Sequence, residues 1–282
     1  MTKYDETAII KLTKDLKNAS KVLSKHEARF LVDTYYIIQN WRISSANQGR
    51  ILEKNGEPHE VIDWIFDNSS ILENQIKRAL DAYTDFSHMG KWAKSICGIG
   101  PVISAGLDAH IDISKAPTVG HIWNFAGLNP EIVWEKKSKR PWNASLKTLC
   151  WKLGESFVKV SNNEKDIYGK IYKKRKKYED ENNRYLQYAD QAKAKLEKYK
   201  IKSREALRIY GSGMLPQGHI HARAKRYAVK LFLSHWHHEA YLNYYGEEPP
   251  KPYPIAILGH AHEITFEDLL NKNTKEKVKE II

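Results

Sequence analysis

Apolar residues along this chain recur every three or four positions and almost nowhere alternate, which is the rhythm of packed helices rather than of strands. Ile9, Leu12 and Leu16 open the pattern, and "HEARFLVDTYYIIQNWRI" continues it with apolar residues on more than one side. "EKNGEPHE" is a turn: Asn55-Gly56 bends the chain, and Pro58 suits the first turn of the next helix. Ile62, Phe66, Leu72, Ile76 and Leu80 predict helix across residues 59–86. Glycine and proline then punctuate two short apolar stretches, "SICGIGPVISAGLDAHI" and "APTVGHIWNFAGLNP". "WNASLKTLCWKLGESFVKV" places Leu146, Leu149, Leu153 and Phe157 on one helical face. Residues 166–206 are charged, tyrosine-rich and free of proline, a pattern for one long helix or a helical hairpin. "GSGMLPQG" breaks that run, and an amphipathic helix follows, closed by Gly246. "EEPPKPYP" reads as an extended linker, and only "PIAILGH" after it hints at a strand.

The fold class expected is therefore all-α: several helices around a central helix-hairpin-helix module, with long charged helices beyond it. The organisation expected is a helical region over 1–70, the hairpin domain over 71–160, a basic helical region over 161–246, and a proline-rich linker with a tail over 247–282.

Charge changes this picture. The 282 residues carry a formal net charge of +12, with 41% hydrophobic and 28% charged residues. A chain so basic, with its cations clustered, faces a polyanion, and nucleic acid is the commonest one inside cells. No apolar run has the length of a membrane span, and the charges scattered through "MTKYDETAIIKLTKDL" exclude a signal peptide, so no membrane partner is expected. Two cysteines, Cys97 and Cys150, make neither a disulfide framework nor a zinc site, which suits a reducing, cytoplasmic setting.

The hairpin "CGIGPV" carries the clearest candidate chemistry. Gly98 and Gly100 can adopt positive φ and let a phosphate approach the backbone. Ile99 tucks inward to fix the turn, Pro101 fits the first helical position, and the N–H groups from Val102 onward point at the anion with the positive end of the helix dipole. Ile103, Leu107 and Ile111 give the second helix its buried stripe. Such a loop grips sugar-phosphate and reads no bases. No cofactor is expected, save a monovalent cation at the hairpin.

The order "ICGIGPVISAGLDAHIDI", "VGHIWNFAGLNP", "WNASLK" resembles the C-terminal half of the bridge-RNA-guided insertion-sequence transposases, over about residues 70–160. That family has a GIGP hairpin, a short helix ending in AGL-x-P, and an Asn-x-x-Leu-Arg helix; here these look like Gly98–Pro101, Ala126–Pro130, and Asn143 with Leu146 and Lys147. The helix bearing Leu72, Ile76 and Leu80 is similar to the end of the family's coiled-coil arm. The resemblance implies DNA recombination of mobile-element or phage ancestry. Two departures accompany it. The family's N-terminal nuclease half holds metal with four acidic residues, whereas residues 1–70 here read as helix and Asp33, Asp63 and Asp67 as surface carboxylates. The family's nucleophilic serine follows AGL-x-P and precedes a glycine; Ser138 lies late in that loop, among lysines and without the glycine.

The remaining constellations are basic. Lys136, Lys137, Lys139 and Arg140 surround Ser138; they could activate its hydroxyl, but with no base-and-orienter set in view they read first as phosphate contacts around a loop serine. Arg223, Lys225 and Arg226 share a helix with His219, His221, His235, His237 and His238, a face fit for nucleic acid. His235 and Glu239 sit one turn apart but lack a third ligand at firm spacing, so no metal is assigned. Lys170, Lys173, Lys174, Arg175, Lys176 and Lys177 combine with Tyr168, Tyr172, Tyr178 and Tyr185, as in single-strand binders or in a packed charged helix. A DNA glycosylase is rejected, since Val102 and Ile103 follow Pro101 where its lysine would stand, and Asp112 comes too early, in an apolar helix. The expectation is a nucleic-acid-binding protein with DNA as partner, structured RNA and a second copy of the chain being further partners to consider. Two other readings stay open: an active transposase or recombinase using Ser138 with acidic residues from a partner, and a helical scaffold for another protein.

Overall fold

The computed structural model describes residues 14–57, 59–130, 132, 134–135, 137–251, 264–267 and 269, and among these every regular element is helical. The all-α expectation is therefore met. The strand-like "PIAILGH" and much of the tail lie outside the described residues. The chain divides into two compact units, the first running to residue 95 and resuming over 99–115, the second formed by 96–98 and the residues from 116 onward.

The first unit begins with α1 (Lys14–Ser20) and α2 (Lys25–Lys54). Ser24 starts α2 through a reciprocal cap: its hydroxyl accepts from the Glu27 N–H, while the Glu27 carboxylate accepts from the Ser24 N–H. The Asn55-Gly56 turn reverses the chain into α3 (Glu60–Phe86). Ala28, Val32 and Ile38 of α2 pack with Ile76, Leu80 and Tyr83 of α3. Buried Glu73 crosses this seam and accepts from Arg42 and Gln39. Burial raises its pKa, but those hydrogen bonds outweigh it and leave the carboxyl below its ordinary value.

Between α3 and the hairpin stands a helix the periodicity did not predict, α4 (His88–Lys94). Ser87 caps it by accepting from the Gly90 N–H, and Lys94 bridges back to Asp81 and Asp85. The hairpin's first arm is thus this short α4, not the 59–86 helix. Its second arm, α5 (Pro101–His110), contributes Val102, Ala105 and Ala109 to the same core as α2 and α3. A single 3-10 turn, Ile113–Lys115, ends the unit. Because α3 is one uninterrupted amphipathic helix, the expected boundary at residue 70 falls inside it, and the N-terminal helices form one unit with α5.

The second unit holds α6 (Val119–Phe125), α7 (Ala144–Val160), α8 (Tyr168–Arg184), α9 (Ala189–Lys198), α10 (Arg204–Gly211) and α11 (Gln217–Tyr245). Leu146, Leu149, Leu153 and Phe157 of α7 are all buried, as the stripe predicts. Phe157 stacks on Tyr168 with centroids 4.9 Å apart, and Phe232 of α11 meets both rings edge-on. The charged run 166–206 is neither one helix nor a hairpin but α8, α9 and the start of α10. The break after α8 has a local cause. Asn183 donates to the Leu215 carbonyl and accepts from its N–H, at 2.9 and 2.7 Å, and Leu186 turns left-handed at φ 56°.

Candidate nucleic-acid interface

The hairpin glycines divide their work. Gly98, in the second unit, has φ +92°, and a Cβ there would stand 2.9 Å from the Val160 side chain. Its carbonyl accepts from Ser156 Oγ. Gly98 is therefore glycine because the C-terminal turns of α7 press on it. Gly100, in the first unit, does not use the positive φ that the sequence suggested: it sits at −98° as N-cap of α5, and a Cβ there would meet nothing within 4 Å. No side chain caps α5, and Pro101 leads it without an N–H. Ile99 is buried at 5% exposure, as expected, and so is the Val102 side chain, which leaves its backbone N–H as the only hydrogen-bond donor Val102 can offer an anion.

The second unit holds a groove of about 450 Å³. Lys147, Cys150, Trp151 and Gly154 line it from α7; Ala222, Lys225, Arg226 and Val229 line it from α11. Each set follows the i, i+3, i+4, i+7 spacing of one helical face. The loop after α6 supplies the remaining wall, from Gly127 to Pro130 with Ile132 and Trp142. Two sequence blocks shape that wall. Gly127 ends α6 at φ +62°, where a Cβ would strike the Trp142 ring at 2.8 Å. Asn143 caps α7 by accepting from the Leu146 N–H at 2.8 Å, while its own N–H donates to the Phe125 carbonyl. The cap sets the first turn of α7 so that the Lys147 ammonium lies 3.9 Å over the Trp142 ring. The AGL-x-P loop, the Asn-x-x-Leu helix and the basic part of α11 thus meet at one place.

Electrostatics sort the cations. Among the described residues no carboxylate pairs with Lys137, Lys139, Arg140, Lys147 or Arg226. Desolvation, followed by the fields of Arg140 and Arg226, holds the Lys147 ammonium below the ordinary lysine pKa, with no acid counteracting. Arg223 and Lys225 are different. Arg223 donates to buried Glu179 at 2.7 Å and to Gln191, and it lies over the Tyr188 ring; Lys225 is buried and paired with Glu155. Both are spent within the fold.

In the basic loop, Lys137, Lys139 and Arg140 are exposed, and Arg140 lies over the Trp134 ring. Lys136 lies outside the described residues. The Ser138 hydroxyl donates to the Glu135 carbonyl at 2.7 Å, and its carbonyl accepts from Trp134 Nε1, so the serine closes a turn. Cys150, on the groove floor, is buried, and its thiol is pushed up to about 12 by burial, which removes it as a nucleophile at neutral pH.

Four of the five histidines of α11 are bonded within the fold, whereas His238 is 45% exposed at its side chain and pairs with Glu248. Tyr168, Tyr172 and Tyr210 bond through their hydroxyls to Nδ1 of His235, His221 and His219 at 2.8, 2.7 and 3.3 Å. His235 Nε2 lies 2.6 Å from the Ile264 carbonyl and must donate to it, so Tyr168 donates to Nδ1 and both ring nitrogens are committed. His237 Nε2 donates to the Ala116 carbonyl. Among the described residues no cluster of three His, Cys, Asp or Glu side chains is placed to hold a metal ion, and His260 and His262 lie outside them. No described helix is long and apolar enough to cross a membrane. The sequence reading missed Trp142 and Trp151. The available signal was Trp151, which stands off the leucine stripe of α7, four residues after Lys147, and is 58% exposed.

No protein-family model, curated protein or solved structure matches the chain.

Proposed function

We propose that this protein binds nucleic acid, DNA in the first place, through backbone phosphates. The observation that carries the reading is the set of exposed cations Lys137, Lys139, Arg140, Lys147 and Arg226, for which no carboxylate partner stands among the described residues, in a chain of net charge +12. Like charges gathered without ion-pair partners cost stability in the free protein, and phosphate offsets that cost. The open, uncapped start of α5 offers a second phosphate contact on the first unit. Descent from the helix-hairpin-helix half of insertion-sequence transposases belongs to the same proposal and rests on the three motif blocks alone.

The test is fluorescence anisotropy with a short labelled duplex across a salt series. Counterion release gives a log–log slope of about −0.9 per phosphate neutralised. Substituting Lys139, Arg140 and Lys147 together with alanine should flatten that slope and weaken binding while circular dichroism stays helical. Absent binding, or binding indifferent to salt, would sink the reading.

A further inference from the structure

We propose that the groove between α7 and α11 receives a single unpaired nucleobase, with the phosphate of that nucleotide held by Lys147 and Arg226; the proposal rests on the nucleic-acid reading above. Phosphate binding by itself needs no concavity, since exposed cations reach a duplex backbone from a flat surface. This groove of about 450 Å³ falls within the range of pockets that enclose one small planar ligand. Its floor is apolar, built from Cys150 and Val229, both 2% exposed. The Trp151 indole, by contrast, is 58% exposed at its side, with the Lys225 ammonium 5.1 Å from its ring centroid.

Charge narrows the occupant. Lys225 lines the groove but is already neutralised by Glu155, so it adds little net field. Lys147 and Arg226 line it too and form no ion pair among the described residues; Glu179 acts on Arg226 but is already bonded to Arg175 and Arg223, so the remaining field calls for one anionic group next to a flat apolar body. A nucleotide is that combination. Bases inside a duplex are stacked and turned inward, so only an unpaired, bulged or extruded nucleotide can enter. The exposed part of the Trp151 ring accepts any base face, so the groove selects for unpairedness rather than for sequence.

The experiment compares a fully paired duplex with the same duplex carrying one extra, unpaired 2-aminopurine nucleotide, each titrated with the full chain. Wild type should bind the bulged duplex about tenfold more tightly, and stacking should quench 2-aminopurine fluorescence. Trp151→Ala removes a wall, and Ala222→Phe fills the groove from α11; each should bring the affinity ratio to about one and restore the fluorescence. Because one variant empties the site and the other fills it, the two act by opposite routes, and circular dichroism checks that each is folded. Equal wild-type affinity for both duplexes overturns this inference and leaves the phosphate reading standing. A ratio that survives in both folded variants overturns it as well, since the preference then arises elsewhere. Failure to bind either duplex overturns both readings together.

Discussion

The Lys147 ammonium stands 3.9 Å over the Trp142 ring, and that ring packs directly on Gly127, where no Cβ could fit. A left-handed glycine, an indole and a cation are thus stacked into one support, so the charge at the groove mouth is held in place rather than swinging on a free stem. Preorganisation of this kind lowers the side-chain entropy lost when a phosphate arrives.

Lys147 and Lys225 line the same groove and predict different outcomes. Lys147→Ala should leave helicity and melting temperature nearly unchanged, reduce duplex affinity, and flatten the salt slope by about 0.9. Lys225 is buried against Glu155, so Lys225→Ala should lower the melting temperature and barely alter the slope. Anisotropy titrations at several salt concentrations, with thermal melts alongside, separate the two. Equal slope changes for both would remove the distinction drawn between free and paired cations.

The hairpin glycines separate in the same way. Gly98→Ala forces a side chain into positive φ and against Val160, and should cost about 1–3 kcal/mol in denaturant unfolding. Gly100→Val occupies open space at an ordinary extended φ, and should cost less than about 1 kcal/mol. Its bulk stands where a phosphate would approach α5, so it should weaken duplex binding while the fold persists. Full binding by Gly100→Val would make the hairpin a structural corner.

Arg223 is half-buried and tied to Glu179 and Gln191 within the fold. Glu179 is 1% exposed and held by Arg175 and Arg223, each at 2.7 Å. Arg223→Ala removes one of two cations from a buried carboxylate and should destabilise by about 3 kcal/mol. Replacing the acid as well, in Glu179→Met with Arg223→Met, should recover much of the loss, because no charge is then left buried. Denaturant midpoints of the single and double variants decide it. A silent Arg223→Ala would return this residue to the candidate ligand surface.

How much of this was legible in the sequence depends on the length scale of the signal. Residues that act along one helix were readable: the Leu146 to Phe157 stripe, the inward Ile99 and the Gly246 stop all follow from local spacing. Residues whose role is set by a distant partner were not. "HIHARAKR" looks like a basic face until Glu179 and Glu155 are seen to claim Arg223 and Lys225, from positions 44 and 70 residues away. The tyrosines of α8 look like stacking platforms until Tyr168 and Tyr172 are seen bonded to His235 and His221. The helix α4 escaped because seven residues carry too little periodicity to stand out, although Ser87 marks its start.

The same tyrosine–histidine pairs predict the acid sensitivity of the second unit. Burial, with Lys195 and Arg226 nearby, pushes the His219 imidazole from 6.5 down to about 4, and burial also lowers His221 and His237. A folded pKa below the unfolded one means that the unfolded chain binds more protons at intermediate pH, so stability falls as pH falls. The contribution of His219 is fully present above pH 6.5, drains between 6.5 and about 4, and is gone below. Each such histidine tilts the curve by at most about 1.4 kcal/mol per pH unit within its window. Carboxylates do not account for the upper part of that window. Glu179 and Glu73 have folded pKa values below the ordinary 4.5, so their contributions are lost only at lower pH. Protonation also blocks Nδ1 of His219, which then cannot accept from the Tyr210 hydroxyl, so the contact between α10 and α11 should loosen with the titration. Denaturant unfolding at half-unit steps from pH 7.5 to 5 should show stability nearly level down to about pH 6.5 and declining below it, and His219→Gln should reduce the slope below pH 6.5. A stability curve flat to pH 5 would mean that these imidazoles titrate as they do in the unfolded chain.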